Sequence, residues 1–215
     1  LVQTFHTLSA QLNSLNANVN QALTNNATDI TSLAQGIAKL NGEIVDAQGA
    51  GSGTTPNDLL DQRDALVNQL AKLVGVSTVK EGNGALDVHI GSGQALVLGL
   101  KSATLATANN TLDPSRKDLT LSFGGPSVVV TDQITGGRLG GMLQFRKAVL
   151  DPAFNGLGRV ALGLARTFNT QHKLGMDLKG RLGGDFFTEP QPQVLPAPGN
   201  GGSVAVTVAD TSKLT

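Results

Sequence analysis

Residues 138–174 read RLGGMLQFRKAVLDPAFNGLGRVALGLARTFNTQHKL. Leu143, Leu150, Leu157 and Leu164 recur every seventh residue, and Phe154, Ala161 and Phe168 each follow one of them by four. On a helix these positions form one continuous apolar stripe, and a stripe of that length needs a partner. Arg159, Arg166 and Lys173 repeat at the same interval on a different face, giving a basic edge. Its ordinary reading is a solvated face. Asp151-Pro152 interrupts the pattern: proline removes a helical hydrogen bond, so either Asp151 caps a second helix or the helix kinks. Because the leucines keep phase, two nearly collinear segments are expected, Leu139 to Leu150 and Pro152 to Lys173.

Partners for the stripe lie at the start of the chain. Leu1, Phe5, Leu8, Leu12, Leu15 and Val19 alternate steps of four and three, as a coiled-coil seam does. Leu23, Ile30, Ile37 and Ile44 continue it, with Ala27, Leu33 and Leu40 between, after a stutter at Leu15, Val19 and Leu23. One long helix is therefore expected over about 1–48. Up to Gly42 its only formal charges are Asp29 and Lys39. Its amide-rich face is either covered by neighbouring subunits or simply polar surface.

Gly49 to Thr54 is a flexible break without the lysine of a phosphate loop. Thr55, Pro56 and Asp58 then mark a helix start, and Gly75 ends a second helix of about 56–74. Leu59, Leu66, Leu70 and Leu73 line one row with Arg63 among them, while Asp58, Asp61 and Asp64 line another. Packed antiparallel on the first helix, this segment makes a hairpin. The acidic row is most simply a solvated face; otherwise the basic edge of residues 159–173 is its natural complement.

Between the helices, residues 76–134 turn strand-like. Ser77 to Lys80, Ala85 to Ile90, Gln94 to Leu98, Leu119 to Phe123 and Ser127 to Thr131 are short runs bounded by Gly, Asn and Pro, and Asn83-Gly84 is a hairpin turn. Beyond the last helix, Gly175 to Phe187 is a glycine-rich loop or hairpin. Pro190, Pro192, Pro196 and Pro198 suggest an extended linker over 190–202, and Ser203 to Val208 alternates like a strand. The class expected is α+β: a long-helix antiparallel bundle over residues 1–189, a small antiparallel β module inserted at 76–134, and the start of a truncated outer β domain at 203–215.

The 215 residues hold 16 basic and 16 acidic side chains, with no Cys, Trp or Tyr. This balance supports neither a nucleic-acid footprint nor a membrane anchor, and no apolar run is long enough to span a bilayer. The absence of cysteine excludes disulfides, thiolate metal sites and cysteine nucleophiles. The chain opens at Leu1 within a helical pattern and without Met, and reads as part of something longer. His6, His89 and His172 fall in separate elements without ligand spacing. Ser92 lacks a nucleophile-elbow frame and reads as a turn residue, and 177–185 lacks the ligand alternation of a calcium loop. No catalytic residue, cofactor or metal is expected.

Three motifs, in order, carry a family resemblance. Asn57-Asp58-Leu59-Leu60-Asp61-Gln62-Arg63-Asp64, Arg138-Leu139-Gly140-Gly141-Met142-Leu143-Gln144-Phe145-Arg146, and Phe168-Asn169-Thr170-Gln171-His172-Lys173 followed by Gly184-Asp185-Phe186-Phe187 resemble segments of the flagellar hook-associated protein 1 family. The likeness covers nearly the whole chain. It implies a structural component of the bacterial flagellum, exported by the type III apparatus and assembled between hook and filament outside the cell. The partners it implies are hook protein, hook-associated protein 3 and sister subunits. An export chaperone would act through terminal helices missing here. The subunit or inter-helix contacts proposed on this basis are Asp58, Asp61, Arg63, Asp64, Arg159, Arg166 and Lys173. Alternatives are another axial protein, such as hook-associated protein 3 or a flagellin, a secreted coiled-coil stalk or adhesin, and an enzyme whose site assembles from distant residues.

Overall fold

Helix α1 runs unbroken from Val2 to Gly49; Leu23, Ile30, Ile37 and Ile44 of the expected stripe are wholly buried, with Ala27 and Leu40 beside them, and the departure from the heptad reading is confined to its start. Leu1, Leu8 and Leu15 are 71%, 43% and 44% exposed, whereas Phe5, Ser9, Asn16 and Val19 are buried. Two eleven-residue series are buried as well, Phe5, Asn16, Ala27 and Ala38 in one and Val19, Ile30 and Asn41 in the other. An α-helix of 3.6 residues per turn drifts about 20° per heptad, so a strict seven-residue series winds off a fixed face while an eleven-residue series stays on it.

The computed structural model describes residues 1–49 and 56–188, with the backbone of 193–196 and 204–207. Most of the glycine-rich break, the cap at Thr55 and most of the expected linker lie outside these residues. Gln193–Pro196, within that linker, is a strand (β8) paired antiparallel with Val204–Thr207 (β9). By internal contact the chain divides into two compact units, one of Asn18–Phe145 and one of Leu1–Ala17 with Arg146–Thr215.

In the first of these, α2 (Asn57–Leu73) runs antiparallel to α1: Gly36 faces Leu66 and Asn41 meets Arg63. Strands β1 (Val76–Lys80), β2 (Leu86–Ile90), β3 (Gln94–Leu98) and β4 (Lys101–Ser102) form one antiparallel sheet. A second contains β5 (Thr104–Asn109), β6 (Lys117–Ser122) and β7 (Val128–Val129). One core joins Leu23, Ile30 and Ile37 of α1, Leu70 of α2, Val88, Ile90 and Leu96 of the first sheet, Leu105 and Leu119 of the second, and Leu139 of α3 (Gly137–Phe145). Thr104–Asn109 is the strand least evident in the sequence, because Leu105 alone supplies a large apolar side chain; Thr31 of α1 anchors it, bonding both the N–H and the carbonyl of Leu105 at 2.9 Å.

Part of the amide-rich face of α1 is thus covered from within the chain. Asn20 binds the Ser115 carbonyl and the Lys117 N–H, and Thr24 meets Thr107 at 3.0 Å.

In the second unit, α4 spans Asp151–Lys173, preceded by a π-helical turn at Arg146–Leu150. Asp151 does not cap a new helix: the backbone at Leu150 is already helical and no side chain caps the start. A π turn widens the helix by one residue just before Pro152, where the ring would otherwise press on the preceding turn. The expected leucine seam rotates along α4. Leu150 is buried, Leu157 is half-buried and Leu164 is 37% exposed; the buried line is Gly158, Ala161, Ala165 and Asn169. Phe5 packs against Ala161 and Ala165, with Leu157 and Phe187 at the side. A large ring set against small residues permits a closer approach than leucine on leucine.

Candidate functional site

In the first and third sequence motifs a buried polar side chain is bonded to backbone, directly or through a second side chain. In the first, Arg63 sits at 3% exposure among apolar neighbours on α2 and reaches the wholly buried Asn41 on α1. Asn41 Nδ2 donates to the carbonyls of Leu86 (2.9 Å) and Gly99 (2.7 Å). Its Oδ1 accepts from the Leu86 N–H (3.1 Å) and from Arg63 Nη1 (2.9 Å). Arg63 Nη1 also donates to the Gly84 carbonyl at 2.8 Å. One amide, with every donor and both lone pairs engaged, thereby joins two helices and two turns of the first sheet. Burial lowers the Arg63 pKa from its ordinary value while Asp64 opposes the shift; guanidinium basicity is high enough that the charge persists.

Just before the second motif the chain makes a close backbone approach. Gly136 and Gly137 hold φ of 72° and 58°, a region that favours glycine. A side chain on Gly137 would strike the backbone of Leu73 and Val74. Here Gly75 donates to the Thr135 carbonyl at 2.8 Å and accepts from the Gly91 N–H at 2.9 Å, joining the end of α2, the turn after β2 and the entry to α3. Arg146, which closes the motif, is buried.

The third motif repeats the logic of the first. Asn169, at 2% exposure on α4, accepts the N–H groups of Phe186 (2.9 Å) and Phe187 (2.8 Å) and donates to the Phe187 carbonyl at 2.8 Å. His172 Nδ1 lies 2.8 Å from the Gly184 carbonyl, and Lys173 pairs with Asp185 at 2.7 Å. Phe168, Phe186 and Phe187 pack with centroids 5.0 to 5.2 Å apart. Residues 175–183 form a small hairpin bridged at Met176 and Leu182, with Asp177 accepting from the Lys179 and Arg181 amides. The gap between the two halves of the motif is thus the length of that hairpin.

The charged rows occupy different units. Asp58, Asp61 and Asp64 are exposed on α2, and Arg159 and Arg166 are exposed on α4. Lys173 is engaged by Asp185 in its own unit. No sequence pattern marks the burial of Arg63 and Asn169, although Asn16 and Asn41 at the eleven-residue positions mark where polar groups enter the packed face.

An open cleft of 580 Å³ lies beside Phe168, His172, Met176 and Leu182. Its ionisable groups are already bonded: His172 to Gly184, and Asp177 to its own turn and to Arg181 at 3.4 Å. Among the described residues no group of three acids or histidines is placed for a metal ion, and no helix is long and apolar enough to cross a membrane.

Helices and small antiparallel sheets locked by buried amides define an α+β structural module. Comparison gives that class its family. The family model described as the flagellar hook-associated protein FlgK helical domain matches residues 1–187, and the chain belongs to this family. Flagellar hook-associated protein 1 of Escherichia coli K12 is 39% identical over 99% of this chain and 40% of its own length. The Salmonella typhimurium LT2 protein of the same name is 36% identical over 100% of this chain and 38% of its own length. The solved structure of the flagellar hook junction protein FlgK from Burkholderia pseudomallei superposes with a TM-score of 0.83 at 37% identity, over 94% of this chain and 37% of that one. The chain therefore spans about two fifths of the length of these relatives.

Proposed function

We propose that this chain is a structural part of the bacterial flagellum at the junction of hook and filament, acting by subunit packing and not by catalysis. The observation that carries this reading is the family match over residues 1–187, joined to a structure in which buried side chains of the first and third motifs hold the fold together. Type III export and a position outside the cell follow from that role, with hook protein, hook-associated protein 3 and sister subunits as partners. The export chaperone would engage other parts of the full-length protein.

Within the proposal, residues 1–189 form the helical domain with the 76–134 β module inserted, 190–202 lead out of it, and 203–215 begin an outer β domain. Asp58, Asp61 and Asp64 on one side, and Arg159 and Arg166 on the other, make lateral contacts between subunits. Arg63 and Lys173 act within the subunit. Individually weak contacts repeated around a ring suffice for assembly, since symmetry multiplies them. The test is capture of hook protein, hook-associated protein 3 and flagellin by the full-length protein. Retention of the first two is the expected result; retention of none would overturn the assignment.

A further inference from the structure

We infer that Asn83 is a site of selective spontaneous deamidation, and that the isoaspartyl product loosens the Arg63 clasp. The described residues contain three Asn-Gly pairs in different settings: Asn41-Gly42, Asn83-Gly84 and Asn155-Gly156. Deamidation requires the glycine nitrogen to reach the asparagine Cγ. In an α-helix the asparagine ψ is held near about −42° and the following N–H is bonded along the helix, which keeps the two apart. Asn41 and Asn155 are both helical, and Asn41 is also wholly buried with its amide fully engaged.

Asn83 lies outside any helix, although the Gly84 N–H that follows it is also held, by the Glu81 carbonyl at 3.2 Å. Asn83 is exposed, in the turn between β1 and β2, and precedes a glycine at φ 91°. Its Oδ1 accepts the Ala85 N–H at 2.9 Å, which polarises the Cγ carbonyl toward attack. Its Nδ2 donates to Glu81 at 3.1 Å. In the reaction the Gly84 nitrogen bonds to Asn83 Cγ, and Nδ2 leaves as ammonia, taking up the proton the Gly84 nitrogen gives up. Solvent water then opens the succinimide. Breaking the new Cγ–N bond gives aspartate; breaking the original peptide C–N bond gives isoaspartate, with the backbone rerouted through Cγ.

The isoaspartyl form adds a methylene to the main chain one residue before the carbonyl that binds Arg63. Gly84 then moves off Arg63 Nη1, and Asn41 loses a well-placed partner. Aspartate keeps the backbone path and leaves that bond in place.

The experiment is ageing of the folded chain in mildly alkaline buffer, followed by peptide mapping with isoaspartate-resolving mass spectrometry and amide hydrogen exchange. The expected result is conversion at Asn83 at least tenfold faster than at Asn41 or Asn155. In denaturant all three should convert at similar rates. The isoaspartyl fraction should exchange the Leu86 amide faster than unaged protein, and Asn83→Asp should not. Equal rates at the three sites in folded protein would overturn the selectivity, and unchanged Leu86 exchange in the isoaspartyl fraction would overturn the link to the clasp.

Discussion

Asn41 shows how one side chain can outweigh a whole surface row of charges. Exposed ion pairs contribute up to about 1 kcal/mol each, whereas a buried donor left without its acceptor costs about 1–3 kcal/mol. Asn41→Ala strands Arg63, already short of a partner at Nε, together with the Leu86 N–H. It is expected to cost about 3 kcal/mol in urea unfolding. Asn41→Asp is the sharper case. A carboxylate facing Arg63 gains an ion pair but loses both donors to the Leu86 and Gly99 carbonyls and sets oxygen against oxygen. The expected outcome is destabilisation comparable to the alanine variant, and stability equal to wild type would show that charge pairing dominates the clasp. Asn169→Ala tests the same logic on α4. Its effect should be local, with faster hydrogen exchange at the Phe186 and Phe187 amides and unchanged exchange in the Leu86 to Ile90 strand.

At the scale of elements, α4 separates two readings of one helix. A heptad reading makes both Ala161 and Leu164 core residues; the observed face keeps Ala161, adds Ala165 and leaves Leu164 partly exposed. Ala161→Leu is therefore expected to overpack the contact with Phe5 and cost about 1–3 kcal/mol, while Leu164→Gln should change stability by about 0.5 kcal/mol or less. The opposite ranking in chemical denaturation would restore the leucine seam. The same contrast explains what was legible. The existence and type of α1, α2 and the first hairpin follow from periodicity and from Asn83-Gly84, because local chemistry decides them. The face buried at the start of α1 and along the later part of α4 does not follow, since a small phase drift decides it and small residues such as Ala165 carry little hydropathy signal, whereas Leu23, Ile30, Ile37 and Ile44 are buried as their spacing predicts. The clasps were legible only as motifs: nothing local distinguishes an Arg63 bound to a backbone carbonyl from one covering an apolar row.

For the whole molecule, the balance of charge matters more through its arrangement than its sum. With 16 basic and 16 acidic side chains the chain carries no net charge to steer association, so in the proposed role recognition between copies would fall to local rows. Such rows act over about one Debye length, roughly 8 Å at physiological salt, and exposed ion pairs contribute little to folding. Replacing Arg159 and Arg166 with glutamate in the full-length protein is thus expected to shift the unfolding midpoint of the isolated chain only slightly while reducing motility and the yield of assembled junctions. Reversing Asp58, Asp61 and Asp64 to lysine in the same protein should recover part of that loss, since each altered row then meets an altered partner on its neighbour. Recovery without intersubunit pairing would require the rows to meet within one chain. Mixed expression of the two single-row variants separates these cases, because only contacts between chains can be rebuilt by mixing. Normal junctions in the Arg159 and Arg166 double variant would remove the basic row from assembly altogether.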